Sequence, residues 1–552
     1  MRRLPGGRYV KTFARSFCTA GLLMGTLFFA ASLTPSLLPR TPITQGAVSG
    51  AAFSAGYFIG VFMRWLWVYL ELPVPRFRLN LAIQLVAAAG CIGVAVYFLY
   101  RMTGWQNSIR AVMEMEPTEG VQRVQVALVA TAVFGVSILL ARLFSKTYAL
   151  ISALIHRRVP VRLANVLGFS IALALFWTLA NGVAFNYALR AFDSSYRQLD
   201  ALIETGPERP REPRRTGSEA SLIDWNDVGR QGRQFLGNAP RAGEIAALSG
   251  RAAVDPIRVY AGLNSAETIE ERADLAFEEL KRVGAFNRSA LVVATPTGTG
   301  RVNPPGITPI EYMLDGDVAT VAVQYSYLAS WLALLTEPGY GAETARVLFD
   351  RVYEHWRTLP QDDRPRLYLY GLSLGALNSD LSFDLFDVIG DPIHGALWSG
   401  PPFSKPTWQT ATRERRPGTP AWLPQFRDGS VIRFANQFEG PDVPGAEWGP
   451  MRIVYLQYAS DPITFFEPEI LYRRPDWLAG EIGPDVSPEL RWYPVVTFLQ
   501  LIADMPASMA ARMGFGHVYA PEHYIRAWRA VADPPGWSDE AIADLKAHFA
   551  QR

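Results

Sequence analysis

The residues best placed to do chemistry in this 552-residue chain are Gly371-Leu372-Ser373-Leu374-Gly375. Before them, Arg366-Leu-Tyr-Leu-Tyr370 has the apolar alternation of a strand, and the residues after Gly375 read as a helix. The serine therefore falls on a sharp strand-to-helix turn, with a glycine two positions to either side where a side chain would crowd it. Such an elbow holds a hydroxyl clear of the backbone and aims the first helical N–H groups at negative charge forming beside it. The chemistry this serves is nucleophilic acyl transfer. A tight turn with an ordinary serine has the same letters, so the partners have to decide.

A serine hydroxyl is a weak nucleophile and needs a base, which is itself oriented by an acid. On an elbow of this kind the acid and then the histidine follow the serine in the chain. The six histidines are His156, His355, His394, His517, His523 and His548. His156 and His355 precede the serine, His394 comes just before a strand, and His548 belongs to a terminal amphipathic helix. Two candidates are left. His517 stands in the glycine-rich loop Gly514-Phe-Gly-His-Val-Tyr519, which can swing an imidazole over a sheet edge; His523 sits where a helix begins. His517 is the expected base. Asp461, in Tyr458-Ala-Ser-Asp-Pro462 after a strand, is the expected acid, since a carboxylate there points into the crevice at the strand ends. Asp391 also precedes a proline, but it comes before a strand.

The oxyanion needs backbone N–H donors. Leu374 supplies one, and Thr297 or Gly298 in Thr295-Pro-Thr-Gly-Thr-Gly300 is the expected second. That loop lacks the lysine and the spacing of a phosphate-binding P-loop. Tyr325, Tyr327, Trp331 and Leu332-Ala-Leu-Leu335 form an apolar–aromatic stretch, in which Tyr325 and Trp331 are candidate substrate contacts; core packing would use the same residues.

The elements that must hold these residues alternate between strand and helix. Ile257–Tyr260, Leu291–Ala294, Val318–Val323, Leu367–Tyr370, Gly395–Trp398 and Met451–Tyr458 are strand-like, and Glu267–Val283 and Ala342–Trp356 are helical. Alternation of this kind predicts a mainly parallel sheet with helices on both faces.

The N-terminal third has a different character. Five apolar runs, near Phe17–Leu38, Val48–Leu70, Leu81–Tyr100, Val124–Ala141 and Leu163–Tyr187, are expected to be long enough to cross a bilayer, which needs ~20 mostly apolar residues per helix. Basic residues favour one side. Arg2, Arg3, Arg8, Lys11, Arg15, Arg76, Arg78, Arg142, Lys146, Arg157, Arg158 and Arg162 stand against Arg40, Arg101, Arg110 and Arg123. By the positive-inside rule the N-terminus is expected in the cytoplasm and, after an odd number of spans, everything beyond Tyr187 outside it. Arg64 is the one charge well inside a run, and the missing mid-span carboxylates argue against a transport role. Gly21, Gly25, Gly50, Gly56 and Gly60 suit close helix packing. The expected organisation is a transmembrane region over 1–193, a polar linker over 194–226 and a catalytic domain over 227–552.

A net charge of +2 gives no bulk attraction for nucleic acid. Cys18 and Cys91 both fall in the apolar runs, which leaves the later domain no disulfide framework and no thiolate metal site. No cofactor or metal is expected.

From about Ser218 onward the chain resembles a family of bacterial membrane-anchored α/β-hydrolases that carry a multi-span N-terminal region. The matching segments are Arg258–Leu263, Val292–Gly300, Gln324–Trp331, Gly371–Gly375, Gly395–Phe403, Ser460–Ile463 and Arg491–Val495. With the N-terminal runs included, the likeness covers essentially the whole chain. It implies an α/β-hydrolase domain behind a multi-span transmembrane helical region, with Ser373, Asp461 and His517 as the triad. Leu372, often acidic in relatives, and Phe515, often histidine, depart from the pattern. A tethered hydrolase implies membrane lipids as partners and a lipid-linked or other ester as substrate. Transfer to an acceptor other than water would use the same residues, and a catalytically idle lipid- or protein-binding module is the reading from another class.

Overall fold

The structure, a computed structural model, describes residues 17–73, 77–120, 122–179, 182, 207–328 and 339–550. It divides into two compact units. One comprises Met1–Asn186 together with Phe466–Ala511, and the other Tyr187–Phe465 together with Arg512–Arg552.

In the second unit seven strands form one sheet: β1 (Ile257–Ala261), β2 (Ala290–Thr295), β3 (Val318–Val323), β4 (Arg366–Leu372), β5 (Gly395–Ser399), β6 (Ile432–Ala435) and β7 (Arg452–Leu456). Their order is β1-β3-β2-β4-β5-β7-β6, and every pairing is parallel. Central strands read Ala-Leu-Val-Val-Ala-Thr and Val-Ala-Thr-Val-Ala-Val and are buried throughout, as a sheet covered on both faces requires. The edge strand β6 escapes the sequence pattern because Arg433 interrupts its four residues. That side chain is 5% exposed, stacks 3.8 Å from the Trp448 ring centre and donates to the carbonyls of Gly429 and Ala446.

Around the sheet, α6 (Ile269–Val283) starts at a capping box of Thr268 and Glu271 and stops at Gly284, which takes the left-handed conformation. It packs on α7 (Tyr340–Thr358), while α10 (Pro521–Ala532) covers β5 and β7 and sets Trp528 against Tyr368 and Tyr370. The expected polar linker is only partly a tether. Its residues 194–206 lie outside the described residues, but from Pro207 the chain folds onto this unit. Arg209 donates to the Gly217 and Ser218 carbonyls, Arg215 pairs with Asp255, and Ile223 and Trp225 are buried. The arginines there are capturing backbone and carboxylates, which composition alone does not reveal.

The first unit contains α1 (Thr19–Ser32), α2 (Pro42–Tyr69), α3 (Phe77–Val112), α4 (Arg123–His156) and α5 (Val161–Trp177). Of the five expected spans, α2, α3 and α4 are long and apolar enough to cross a membrane; α1 and α5 are apolar but shorter, at 14 and 17 residues. Pro35 stops α1 short of the expected Leu38, because proline lacks the N–H that a helix interior needs. For the fifth span, most of the stretch beyond Thr178 lies outside the described residues. The glycines serve close approach: a Cβ at Gly60 would come within 2.4 Å of the Ala20 carbonyl, and one at Gly56 within 2.6 Å of that of Met24.

The first unit also takes in α9 (Val496–Ser508), from the C-terminal part of the chain. A polar core holds it there. Arg40 Nε lies 2.8 Å from Asp504 Oδ1, with both side chains nearly free of solvent. Ser36 and the Leu37 N–H also donate to Asp504, while Gln500 Nε2 donates to the carbonyls of Ser32 and Thr34. Nearby, Trp105 donates to Glu489 at 3.0 Å and Ser108 meets Ser487 at 2.7 Å. These partners stand at the C-terminal ends of α1 and α3 and just before α2, so they share one end of the helical bundle.

Candidate active site

Ser373 sits between β4 and α8 (Leu374–Asp380) with φ 58° and ψ −127°, a strained conformation for a residue with a side chain. The flanking glycines are enforced by space. A Cβ on Gly371 would lie 2.4 Å from the Gly375 carbonyl carbon, and one on Gly375 2.3 Å from the Thr295 carbonyl oxygen. The second approach also brings the loop after β2 against the elbow. The Ser373 N–H donates to the Ser399 carbonyl at 2.9 Å, tying the elbow to the end of β5.

Asp461, just beyond β7, and His517 meet directly: Nδ1 lies 2.7 Å from Oδ2, with both side chains fully buried. The Ile463 N–H donates to Oδ1, and Tyr519 and Thr464 add hydroxyl donors to Oδ2 at 2.8 and 3.3 Å. Burial and the neighbouring Asp461 charge raise the Tyr519 hydroxyl well above the usual tyrosine range, so it stays a donor. Nδ1 faces the carboxylate and, among the described residues, the buried His517 Nε2 has no hydrogen-bond partner. The imidazole lies over Gly400, where a Cβ would come within 2.6 Å of Cε1; Gly400 has φ +50° and directly follows Ser399. The histidine and the serine are thus gathered around the same two residues, Ser399 and Gly400.

Each competing residue has another employment. His523 accepts or donates at 2.5 Å to the Tyr458 hydroxyl, and desolvation lowers its pKa to about 3. His394 accepts the Leu367 N–H at 3.1 Å and is pulled down to about 4, again mainly by burial. His355 packs against Phe277 and Phe286, and His548 against Tyr312. Asp391 is clamped by both guanidinium nitrogens of Arg364, at 2.5 and 2.6 Å.

One expected residue is corrected. The Thr297 N–H donates to the Arg301 carbonyl at 3.0 Å, inside a turn closed by Gly300 N–H to Thr297 O. It is therefore spent and is no oxyanion donor in this conformation. Gly298 follows in the same loop, and Leu374 begins α8, where N–H groups have no intrahelical acceptor. Tyr325 is buried against Leu328, Leu374 and Leu377, beside the residue that follows the serine. Trp331 lies outside the described residues.

Sequence reasoning missed two supports. Tyr519 carries no motif, and only its place two residues after His517 hinted at it. Lys405 is wholly buried: its Nζ donates to the Ala376 carbonyl of α8 at 3.1 Å and lies 3.2 Å from the Trp398 ring centre. Burial draws its pKa down to about 7. It braces the elbow helix from below.

The model of the alpha/beta-hydrolase family matches residues 257–545, and that of the family's N-terminus matches 33–240. The chain belongs to the alpha/beta-hydrolase family. Within this chain the matched segment runs through all seven strands, the elbow, Asp461 and His517. No curated protein and no solved structure gives a significant match to the chain.

Proposed function

We propose that this protein is a membrane-anchored serine hydrolase that cleaves a lipid-linked ester through an acyl-enzyme on Ser373. The observation that carries the reading is the His517–Asp461 pair, whose unpartnered Nε2 belongs to an imidazole seated at Gly400, next to the residue that holds the Ser373 N–H. In this mechanism His517 Nε2 takes the Ser373 hydroxyl proton as the oxygen attacks the acyl carbon. Asp461 holds Nδ1–H and stabilises the imidazolium. The N–H groups of Leu374 and Gly298 receive the oxyanion. Collapse expels the alcohol, which takes the proton from His517, and water activated by the same histidine then frees the acid. Tyr325 lines the acyl side.

The apolar helices α2, α3 and α4 support the membrane part of the reading, and the excess of basic residues on one side of the apolar runs supports a cytoplasmic N-terminus with the catalytic unit outside. An acceptor alcohol in place of water would make the same site an acyltransferase, and product analysis with and without added alcohol separates the two. The test of the chemistry is labelling by a fluorophosphonate probe. The wild-type chain should be labelled and Ser373→Ala should not; a folded wild-type chain that stays unlabelled would point to a binding module instead.

A further inference from the structure

Helix α9 is amphipathic in the reverse sense of a helix on a water-soluble protein. Thr497, Gln500, Asp504 and Ser508 are buried toward the bundle, together with Val496 and Leu501. The opposite face carries Ile502 at 43% exposure and Met509 at 54%, with Pro506 exposed and Leu499 and Ala503 half-buried. A helix in water hides its apolar stripe and shows its polar one. Inside a bilayer the preference inverts, because polar and ionisable groups turn to the bundle interior and find partners there. Asp504 does so with Arg40, Ser36 and the Leu37 N–H, and Gln500 with the Ser32 and Thr34 carbonyls.

The surroundings agree. Between Arg491 and Arg512 the one charged residue is Asp504. Trp492 and Tyr493 precede the helix, residue types that favour the membrane interface. The two helices against which α9 packs also turn apolar residues outward, Leu27 on α1 at 57% and Ile43 on α2 at 60%. At ~1.5 Å per residue, a helix of this length is too short to cross and suits insertion from one side.

We propose that the outward face of α9, formed by Leu499, Ile502, Ala503, Pro506 and Met509, is a lipid-contacting surface occupied by the acyl chains of a bilayer. The segment between the catalytic acid and the catalytic base thus dips into the membrane and returns. Asp461 precedes Phe466 by five residues and His517 follows Ala511 by six. The inference rests on the membrane part of the proposed function and not on the chemistry at Ser373.

Spin labels on single cysteines in the full-length protein, reconstituted in phosphatidylcholine vesicles, test it. With Cys18 and Cys91 replaced by serine and alanine, labels go at Ile502→Cys and Met509→Cys. Leu139→Cys, on the outward face of α4, and Glu540→Cys, on the sheet unit, serve as references. Collisions with oxygen should exceed those with a water-soluble nickel chelate at 502, 509 and 139, and the order should reverse at 540. Nickel access at 502 and 509 with lipid access kept at 139 would overturn this inference alone, while nickel access at 139 as well would overturn the membrane reading with it. Exclusion of both reagents at 502 and 509 would mean that protein, a second copy included, covers the face, and would also overturn it.

Discussion

Asp461 Oδ2 takes donors from both His517 and Tyr519, so the carboxylate is held by more than its catalytic partner. Hydrogen bonds to a charged group are worth about 1.5–3 kcal/mol, and Tyr519→Phe removes one while keeping the ring. Activity against a soluble ester should fall by roughly ten- to a hundredfold with little change in melting temperature. An unchanged rate would make Tyr519 a packing residue only. At this scale the sequence was informative where chemistry dictates spacing. Gly371 and Gly375 announce themselves on either side of Ser373 because a Cβ at the one would fall 2.4 Å, and at the other 2.3 Å, from neighbouring backbone. Tyr519 and Lys405 did not, because a hydroxyl aimed at Asp461 and an ammonium on the Ala376 carbonyl depend on contacts between parts of the chain 58 and 29 residues apart. The spent N–H of Thr297 was hidden by a local turn, in which it donates to the Arg301 carbonyl four residues on.

Elements were legible in proportion to their regularity. The fully apolar β2 and β3 and the capped α6 follow directly from pattern, whereas β6 was concealed by Arg433 and α9 by its reversed polarity. Apolar composition marked the helices of the first unit but not where proline ends α1. For α9 the energetics centre on Arg40 and Asp504. Removing one partner of a buried ion pair leaves an uncompensated charge and costs about 3–5 kcal/mol, whereas an apolar pair of similar volume is often neutral. Asp504→Ala should therefore lower the stability of the detergent-solubilised protein strongly, and Arg40→Met with Asp504→Leu should recover most of the loss. Equal loss in the single and double variants would show that the hydrogen bonds from Ser36 and Leu37, rather than the ion pair, hold the helix.

The whole molecule carries a built-in sensitivity to acid. His394 and His523 are held near 4 and 3, below the ordinary value of 6.5, because burial disfavours the imidazolium. The unfolded chain therefore takes up these protons first. Stability is full above about pH 6.5, declines as the pH falls below it, and goes on declining until about 4 for one group and about 3 for the other. Thermal melts between pH 7 and 4 should show the fall, and His394→Asn, which keeps an acceptor for the Leu367 N–H, should flatten it. A slope unaltered by that variant would assign the acid loss to other groups. The division into units was the least legible feature, since no composition shift marks Phe466 or Ala511 as a crossing point. That crossing also sets a clock. Arg40 and Asp504 are 464 residues apart, and a ribosome adding about 5–20 residues per second needs roughly 20–90 s to deliver the second after the first. All seven strands leave the ribosome in that interval, because β7 ends at Leu456. The helical bundle, begun first, is completed only after every strand of the sheet has been made, and a chain that stalls anywhere in the sheet leaves Arg40 waiting for a carboxylate that never arrives.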